Sequence, residues 1–76
     1  RWWCSARVDI ERINEEMRIE LPAGEYETLG GFLLHQFGRI PQRGDELVLE
    51  LRSGPLRFEV ERATPRRIES VWVERI

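Results

Sequence analysis

Apolar residues alternate with polar ones through much of the second half of the chain. Six apolar side chains share this two-residue spacing. They are Leu47, Leu49, Leu51, Leu56, Phe58 and Val60. Because successive side chains of a strand point to opposite faces of a sheet, the spacing predicts two half-buried strands. Residues 53–55, Ser-Gly-Pro, predict a tight turn that joins them as a hairpin.

The first half follows the period of a helix instead. Ile10, Ile13 and Met17 are three and four residues apart, which predicts one apolar stripe on a helix that ends near Met17. Asp9 precedes this stripe and is a good N-cap residue. Residues 22–24, Pro-Ala-Gly, predict a break before the next helix.

A second helix with defined ends is predicted inside residues 26–45. Thr28 can cap it by accepting a hydrogen bond from the N–H of Gly30 or Gly31. Gly38 can end it in a left-handed conformation, and Pro41 excludes further helix. Its apolar side must be covered by the strands. That side consists of Leu29, Phe32, Leu33 and Phe37.

The adjacent glycines at the start of this helix require an explanation, because each lowers helix propensity by about 1 kcal/mol relative to alanine. Either another backbone packs closely there, or an anion binds at the helix N-terminus. The chain has no lysine and no glycine-rich phosphate loop, and Glu25 and Glu27 precede the helix. Close packing is therefore the favoured interpretation.

The N-terminal segment predicts a strand from residue 2 to residue 7. On a strand, adjacent side chains point to opposite faces, so we expect one of Trp2 and Trp3 to face the core and the other to face outward.

The last strand breaks strict alternation. Its apolar residues are Ile68, Val71 and Val73. A bulge near residues 69–70 would give them a common inward face and would turn Trp72 outward. Without a bulge, Ile68 would share a face with Trp72, and Val71 and Val73 would take the other face. With the bulge, Trp72 and either Trp2 or Trp3 would form an exposed aromatic patch, a feature that marks interfaces.

These elements predict an α+β fold, with two short helices packed on a small, mainly antiparallel sheet of about four strands. With 76 residues, of which 41% are hydrophobic and 34% charged, the chain has a globular composition and a length suited to one domain. The longest apolar run covers three residues, 32–34, so we expect no membrane insertion of this segment.

Charge and chemistry exclude several function classes. The net charge is −2, and the twelve arginines are interspersed with fourteen acids, so we expect no nucleic-acid binding; the pair Arg66 and Arg67 is too short to form a basic stripe. Cys4 is the only cysteine, which excludes an intramolecular disulfide and fits a reducing cytoplasm; we interpret it as a small buried apolar residue.

No catalytic, cofactor-binding or metal site is predicted. His35 is the only histidine and has no second ligand at a suitable spacing. The acidic pairs at residues 15–16 and 45–46 lack the spacing of a calcium loop, and we interpret them as solvated. Asp45 follows Gly44 and is expected to fix a turn by accepting local backbone N–H groups.

Residues 25–45, EYETLGGFLLHQFGRIPQRGD, closely resemble the central signature of the CorC/HlyC family transporter-associated domain. The matching positions are Thr28, Gly30, Gly31, Gly38, Arg39, Ile40, Pro41, Gly44 and Asp45. Residues 8–22, VDIERINEEMRIELP, resemble the family's first helix and its leucine-proline exit. Ala6 stands where the family has a glycine, so the turn there is expected to differ.

The resemblance implies that residues 1–76 are a single C-terminal module of a longer bacterial hemolysin-like membrane protein linked to magnesium and cobalt efflux. In that family the module follows a membrane domain and a pair of CBS domains, on the cytoplasmic side of the inner membrane. It implies a non-catalytic regulatory role through contact with those domains or through self-association, and it leaves a homodimer open. The alternative is a sensor domain. Adenine nucleotide or flavin is suggested as its ligand because the family's fold is related to part of flavin-binding oxidoreductase domains, and a divalent cation is suggested by the connection with ion transport and the fourteen acids.

Overall fold

Two helices lie on one face of a four-stranded sheet in the computed structural model, which describes residues 1–22 and 24–76. The predicted break at residues 22–24 therefore falls partly outside the described residues. In chain order the elements are β1 (Trp2–Ser5), α1 (Ile10–Met17), α2 (Leu29–Phe37), β2 (Glu46–Leu51), β3 (Gly54–Ala63) and β4 (Ile68–Arg75).

The strands follow the order β1-β4-β3-β2, and all neighbours are antiparallel. The predicted α+β class is confirmed. The turn predicted at residues 53–55 is wrong in position, because Leu51 already pairs with Gly54 and Pro55 lies inside β3. Arg52 and Ser53 form the turn, and the positive φ of Gly54 (118°) lets the chain enter β3 directly.

The core fills the space between the helices and the inner face of the sheet. Leu29, Phe32 and Leu33 of α2 are fully buried, as the helical spacing predicted. Opposite them lie the inward residues of the two central strands, Leu56, Phe58, Val60, Val71 and Val73. Tyr26 packs edge-on against Phe32, with ring centroids 5.2 Å apart. The inward apolar side chains of β3 and β4 therefore cover the apolar face of α2 that the sequence predicted to be buried.

Phe37 is the exception on the predicted apolar face of α2, because it is only half-buried. It is the last residue of the helix, and the guanidinium of Arg39 lies 5.8 Å from its ring centroid. The end of the helix therefore lies at the margin of the core.

Of the two arrangements considered for β4, the structure has the one with a bulge. Val60 pairs with Val71 and Ala63 pairs with Ile68, and the register shifts twice between these pairs. The shifts let Ile68 and Val71, which are three residues apart, both point inward with 3% and 0% exposure. Trp72 consequently points outward.

The strand predicted for residues 2–7 ends at Ser5, because Ala6 and Arg7 form a turn. Ala6 does not adopt a positive φ, so the turn does not require the family's glycine. The Ala6 N–H donates to the carbonyl of Glu69 and its carbonyl accepts the N–H of Gly30, both at 2.9 Å. Ala6 therefore joins β1 to both β4 and α2.

Trp2 and Trp3 point to opposite faces, as predicted, because Trp2 pairs with the inward Val73 and Trp3 pairs with the outward Trp72. The core covers neither of them, since the two residues are 47% and 54% exposed. Trp2 remains exposed because β1 is an edge strand, where the ring lies beside α1 and not beneath it.

The side-chain cap predicted for α1 is also absent. Asp9 occupies the N-cap position with an extended backbone, but its carboxylate accepts no capping hydrogen bond. The start of the helix is held instead by the N–H of Ile10, which donates to the carbonyl of Glu27 at 2.9 Å. At the other end, the Asn14 side chain bonds both the N–H and the carbonyl of Leu21, at 2.9 and 3.1 Å. Asn14 thereby fixes the chain after α1, a role that no local pattern in the sequence indicates.

Candidate interaction surface

The signature segment begins with the two ends of α2. The Thr28 hydroxyl accepts the N–H of Gly31 at 3.2 Å, and Gly38 closes the helix with a φ of 73°. Both predicted caps are confirmed. A Cβ atom placed on Gly30 would lie 2.9 Å from the Ala6 Cβ and 3.1 Å from the Ala6 carbonyl oxygen. The close-packing interpretation of this glycine therefore agrees with its surroundings.

After α2 the signature forms a turn around one carboxylate. Asp45 accepts hydrogen bonds on one oxygen from the N–H of Gln42 at 2.9 Å and from the guanidinium of Arg39 at 3.0 Å. These two donors, the backbone N–H first, hold the pKa of Asp45 below its usual range. Asp45 therefore fixes local backbone, as its sequence context predicted.

The remaining signature residues attach this turn to the sheet. The N–H of Gly44 donates to the carbonyl of Val60 at 2.8 Å, and Pro41 is buried. Ile40 is the signature's exposed large apolar residue, at 41%. Most of the signature thus maintains the fold, and Ile40 leaves an apolar side chain accessible.

The Asp45 turn predicts a dependence of stability on pH. Because the folded-state pKa is lowered, the stabilisation is present above the unfolded-state pKa of about 3.9 and is lost as the pH falls below it through the folded-state value. Asp45→Asn keeps an acceptor for Gln42 and removes the charge. We expect urea titrations to show the wild type more stable than Asp45→Asn near neutral pH, with the difference shrinking below about pH 4. A constant difference at every pH would contradict this account.

The candidate chemical groups of the sequence do not come together. His35 is exposed, with its ring 5.7 Å from that of Tyr26. Cys4 is half-buried, and burial, together with the charge of Glu16, raises the pKa of its thiol, which disfavours the nucleophilic thiolate. Glu16 itself pairs with Arg12 at 2.9 Å. Across residues 1–22 and 24–76, no three His, Cys, Asp or Glu side chains converge as metal ligands would.

A pair of tryptophans lies on the sheet face opposite the helices. Trp3 and Trp72 are direct partners in the β1–β4 register. The Trp3 indole N–H donates to Glu61 at 3.1 Å, and the guanidinium of Arg1 lies 4.3 Å from the Trp72 ring centroid. Trp3 is 54% exposed and Trp72 is half-buried. Of the predicted aromatic patch, these two rings share a face, while Trp2 lies on the other side of β1.

The charges on this outer face are largely paired with one another. Arg57 lies between Glu46 at 3.3 Å and Glu74 at 2.8 Å. Glu61 accepts from the Ser70 hydroxyl and from Trp3, and these bonds, in that order, lower its pKa. The outer face therefore presents two aromatic rings among charged side chains that are largely paired with one another.

The open edge of the sheet next to Trp3 belongs to β1. The N–H of Ala6 bonds Glu69, and in an antiparallel ladder hydrogen-bonded and free positions alternate. The backbone N–H and C=O groups of Trp2 and Cys4 therefore point toward β4. The backbone groups of Trp3 and the N–H of Ser5 point away from the sheet, toward the open edge. The opposite edge strand, β2, carries the charged Glu46 and Glu50, whereas β1 carries no charged side chain. β1 lacks the charges that protect sheet edges from pairing.

A groove of about 400 Å³ follows the β1 edge on the helix side. Its apolar lining is contributed by Trp2, Cys4, Val8, Ile13 and Met17. Together with the outer face, this groove gives the β1 edge apolar side chains above and below its free backbone groups. We refer to β1, Trp3 and Trp72 as the β1 surface.

The described residues form two helices, α1 and α2, and neither is long and apolar enough to cross a lipid bilayer.

The family model of the transporter-associated domain, CorC_HlyC, matches residues 1–76. Among curated proteins, the chain is 33% identical over 63 residues to the magnesium and cobalt efflux protein CorC of Pasteurella multocida, which covers 83% of this chain and 20% of that protein. The chain spans a quarter or less of the length of the first curated relatives it matches.

Solved structures share both the fold and part of the sequence. A CorC-associated region from Neisseria meningitidis aligns with a TM-score of 0.88 and 32% identity, covering 99% of this chain and 88% of that one. The transporter-associated domain from Nitrosomonas europaea aligns with a TM-score of 0.85 and 31% identity, covering 99% and 86%. By full-length family match, sequence identity and shared fold, the chain belongs to the CorC_HlyC family of transporter-associated domains.

Proposed function

We propose that this chain is a non-catalytic interaction module of a bacterial magnesium and cobalt efflux protein, and that it modulates transport through contact. Its support is membership of a transporter-associated family whose relatives carry the name of efflux proteins and are several times longer. On this proposal the chain is the C-terminal module of a longer polypeptide, on the cytoplasmic side of the inner membrane. The partners within that polypeptide are the membrane and CBS domains that the family resemblance implies.

The observation that carries the proposal is the β1 surface. Trp3 and Trp72 share an uncovered sheet face directly beside a sheet edge that has free backbone groups and no charged side chain. Aromatic residues are enriched and charged residues depleted at the centres of protein interfaces. A strand edge also offers a strong mode of association, since an added strand pairs its N–H and C=O groups in register.

A second copy of the chain is the occupant that we propose for the β1 surface. Two identical edge strands can pair antiparallel about a two-fold axis, and each then satisfies the free backbone groups of the other. On α1, which borders the groove, Arg12 and Glu16 are an i,i+4 pair. Such a pair is self-complementary when two helices meet antiparallel, because Arg12 of each copy faces Glu16 of the other.

Sedimentation velocity over a range of concentrations tests self-association. We expect the wild type to shift toward a dimer as concentration rises and Trp3→Ala to weaken the association by at least about tenfold, since buried tryptophans are frequent hot spots. Val48→Ala is the matched control, because Val48 is 48% exposed but lies on β2, the opposite edge strand. We expect this variant to associate like the wild type.

Two results would each overturn a part of the proposal. A chain that remains monomeric up to about 1 mM, which corresponds to an association free energy weaker than about −4 kcal/mol, would exclude the second copy as the occupant of the β1 surface. The other result is calorimetry that shows flavin, ATP or magnesium binding with a Kd tighter than about 10 µM, which would favour the sensor alternative. In that case ligand binding, and not contact between domains, would be the primary activity.

A further inference from the structure

The fold gathers five arginines at one end of the sheet, although they are scattered along the sequence. This arginine end consists of Arg7, Arg43, Arg62, Arg66 and Arg67. We propose that the arginine end docks on the headgroups of an anionic lipid membrane. The choice of lipid as the anion rests on the proposed function, which places the module beside a bilayer.

Antiparallel pairing explains why these side chains meet. β1 and β3 end, and β2 and β4 begin, at the same end of the sheet. The turns that carry the arginines are therefore neighbours. Arg7 and Arg67 line one cavity of about 510 Å³, and Arg43 lines another of about 370 Å³ with Thr64 and Pro65 of the β3–β4 turn. Arg62 lies in β3, two residues before the first residue of that turn, Thr64.

The arginine end carries an uncompensated positive charge. All five arginines are exposed, and in the described part of the chain none of them forms an ion pair. Arg1, Arg12, Arg39 and Arg57 do form such pairs. Three acids lie close by. Asp45 forms an ion pair with Arg39, which lies outside the set of five. Glu61 accepts from the neutral groups of Ser70 and Trp3 and so keeps its charge, which also interacts with Arg43 and Arg62, while Glu69 lines the cavity of Arg7 and Arg67. Apart from the pair of Asp45 and Arg39, five cations therefore face two half-buried carboxylates.

Half of the chain's fourteen acids lie in one segment. Segment 9–27 holds seven acids and two arginines, a net charge of −5. Asp9, Glu11 and Glu27 of this segment line a separate cavity. The chain is therefore polarised, even though its total charge is only −2. A polarised domain orients one end toward an anionic surface and keeps its acidic segment away from it.

Exposed apolar side chains accompany the arginines. Ile40, which is 41% exposed, lies with Pro65 along the cavity that Arg43 also lines. Apolar groups surrounded by cations are typical of surfaces that lie at a membrane interface, where the apolar groups enter the headgroup boundary and the cations meet phosphate. Arginine suits this role, because its planar guanidinium binds phosphate through two parallel hydrogen bonds.

A planar surface fits this charge distribution better than a nucleic acid. A polynucleotide is a long polyanion that would run beyond the arginine end toward the acidic segment 9–27, whereas a bilayer can contact one end only. Sequence analysis excluded nucleic acid from the scattered arrangement of arginines; the spatial clustering makes nucleic acid an alternative that must be measured.

Co-sedimentation of the 76-residue chain with vesicles tests the proposal. Related domains of similar length have been solved as separate chains, which supports the use of this one alone. Vesicles of phosphatidylcholine containing about a third phosphatidylglycerol would be compared with pure phosphatidylcholine at physiological salt. We expect binding to the anionic vesicles, decreasing as salt rises, and no binding to the neutral ones.

The double variant Arg66→Glu/Arg67→Glu should weaken this binding by at least about 25-fold, since each arginine near an anionic surface contributes about fivefold. Arg18→Glu/Arg52→Glu is the matched control. Both of its residues are exposed and lie outside the arginine end, and it changes the net charge by the same amount, from −2 to −6. We expect the control to bind within about threefold of the wild type, because distant charges are screened.

Equal binding by the two double variants would overturn the proposal, as would equal binding to anionic and neutral vesicles. Tighter binding to a DNA or RNA duplex than to anionic vesicles would identify nucleic acid as the partner instead. Thermal unfolding of each variant shows whether it is folded, and a second charge reversal, Arg43→Glu, serves if the double variant is not. Self-association is measured without vesicles and depends on the β1 surface, so its failure is distinguishable from failure of lipid docking.

Discussion

Phe32→Ala is expected to lower the free energy of unfolding by about 3–5 kcal/mol, the usual cost of truncating a fully buried phenylalanine. Phe32 has 0% exposure and lies on the face of α2 that meets the sheet, with Tyr26 packed edge-on against it. A small domain has a total stability near the lower end of the usual 5–15 kcal/mol, so the variant should be mostly unfolded at 37 °C. Urea titration followed by circular dichroism measures the difference.

His35→Ala is the control for Phe32→Ala, because His35 lies on the same helix but is exposed. Its loss should change the free energy of unfolding by no more than about 0.5 kcal/mol, apart from a small contribution from the neighbouring Tyr26 ring. If His35→Ala were the severe change and Phe32→Ala the mild one, the orientation of α2 would be wrong.

Gly30→Val is expected to destabilise the chain by about 2–3 kcal/mol, as overpacking of a close contact does. Although valine has a higher helix propensity than glycine, its Cβ would lie 2.9 Å from the Ala6 Cβ and 3.1 Å from the Ala6 carbonyl oxygen. The clash also threatens the 2.9 Å hydrogen bond from the Gly30 N–H to that carbonyl. Chemical denaturation of the purified variant measures the effect.

Gly31→Ala is the matched control, because its added Cβ would meet the side chains of Tyr26 and Thr28 at 3.1 and 3.4 Å, and a backbone atom, the Tyr26 Cα, only at 4.0 Å. We expect its effect to stay within about 1 kcal/mol of zero, since helix propensity offsets the mild crowding. A double-mutant cycle adds a second test: Ala6→Gly should recover part of the loss in Gly30→Val, since it removes the closest atom. Unchanged stability in Gly30→Val would contradict the close packing of α2 on Ala6.

The ends of α2 could be predicted because they depend on single residues. A threonine hydroxyl reaches an N–H three residues later and a glycine tolerates a positive φ, so Thr28 and Gly38 determine their own geometry. The bulge in β4 was predictable for a similar reason, since Ile68 and Val71 cannot both face the core without one. In contrast, Asp9 is as good a cap residue as Thr28, but contacts with Glu27 hold the start of α1 in its place.

The candidate surfaces depended on contacts between distant parts of the chain. Alternation predicted that Trp2 and Trp3 point to opposite faces, but it could not show that β1 is an edge strand, where neither ring is covered. Likewise, the twelve arginines appear dispersed in the sequence, and only the order of the strands brings Arg7, Arg43 and Arg67 to one end. Strand order is a property of long-range pairing, which no local period contains.

By itself, the amino-acid sequence determined the number and kind of the elements, the apolar face of α2, its caps and the family resemblance, because backbone dihedrals and side-chain periodicity act over a few neighbouring residues. The tertiary structure alone decided which strand edge stays open, which tryptophans share a face and which charges accumulate. Those features depend on the pairing of residues up to about seventy positions apart, such as Trp2 with Val73. Such pairing is stable only when the whole core is packed, so no short stretch of sequence determines it.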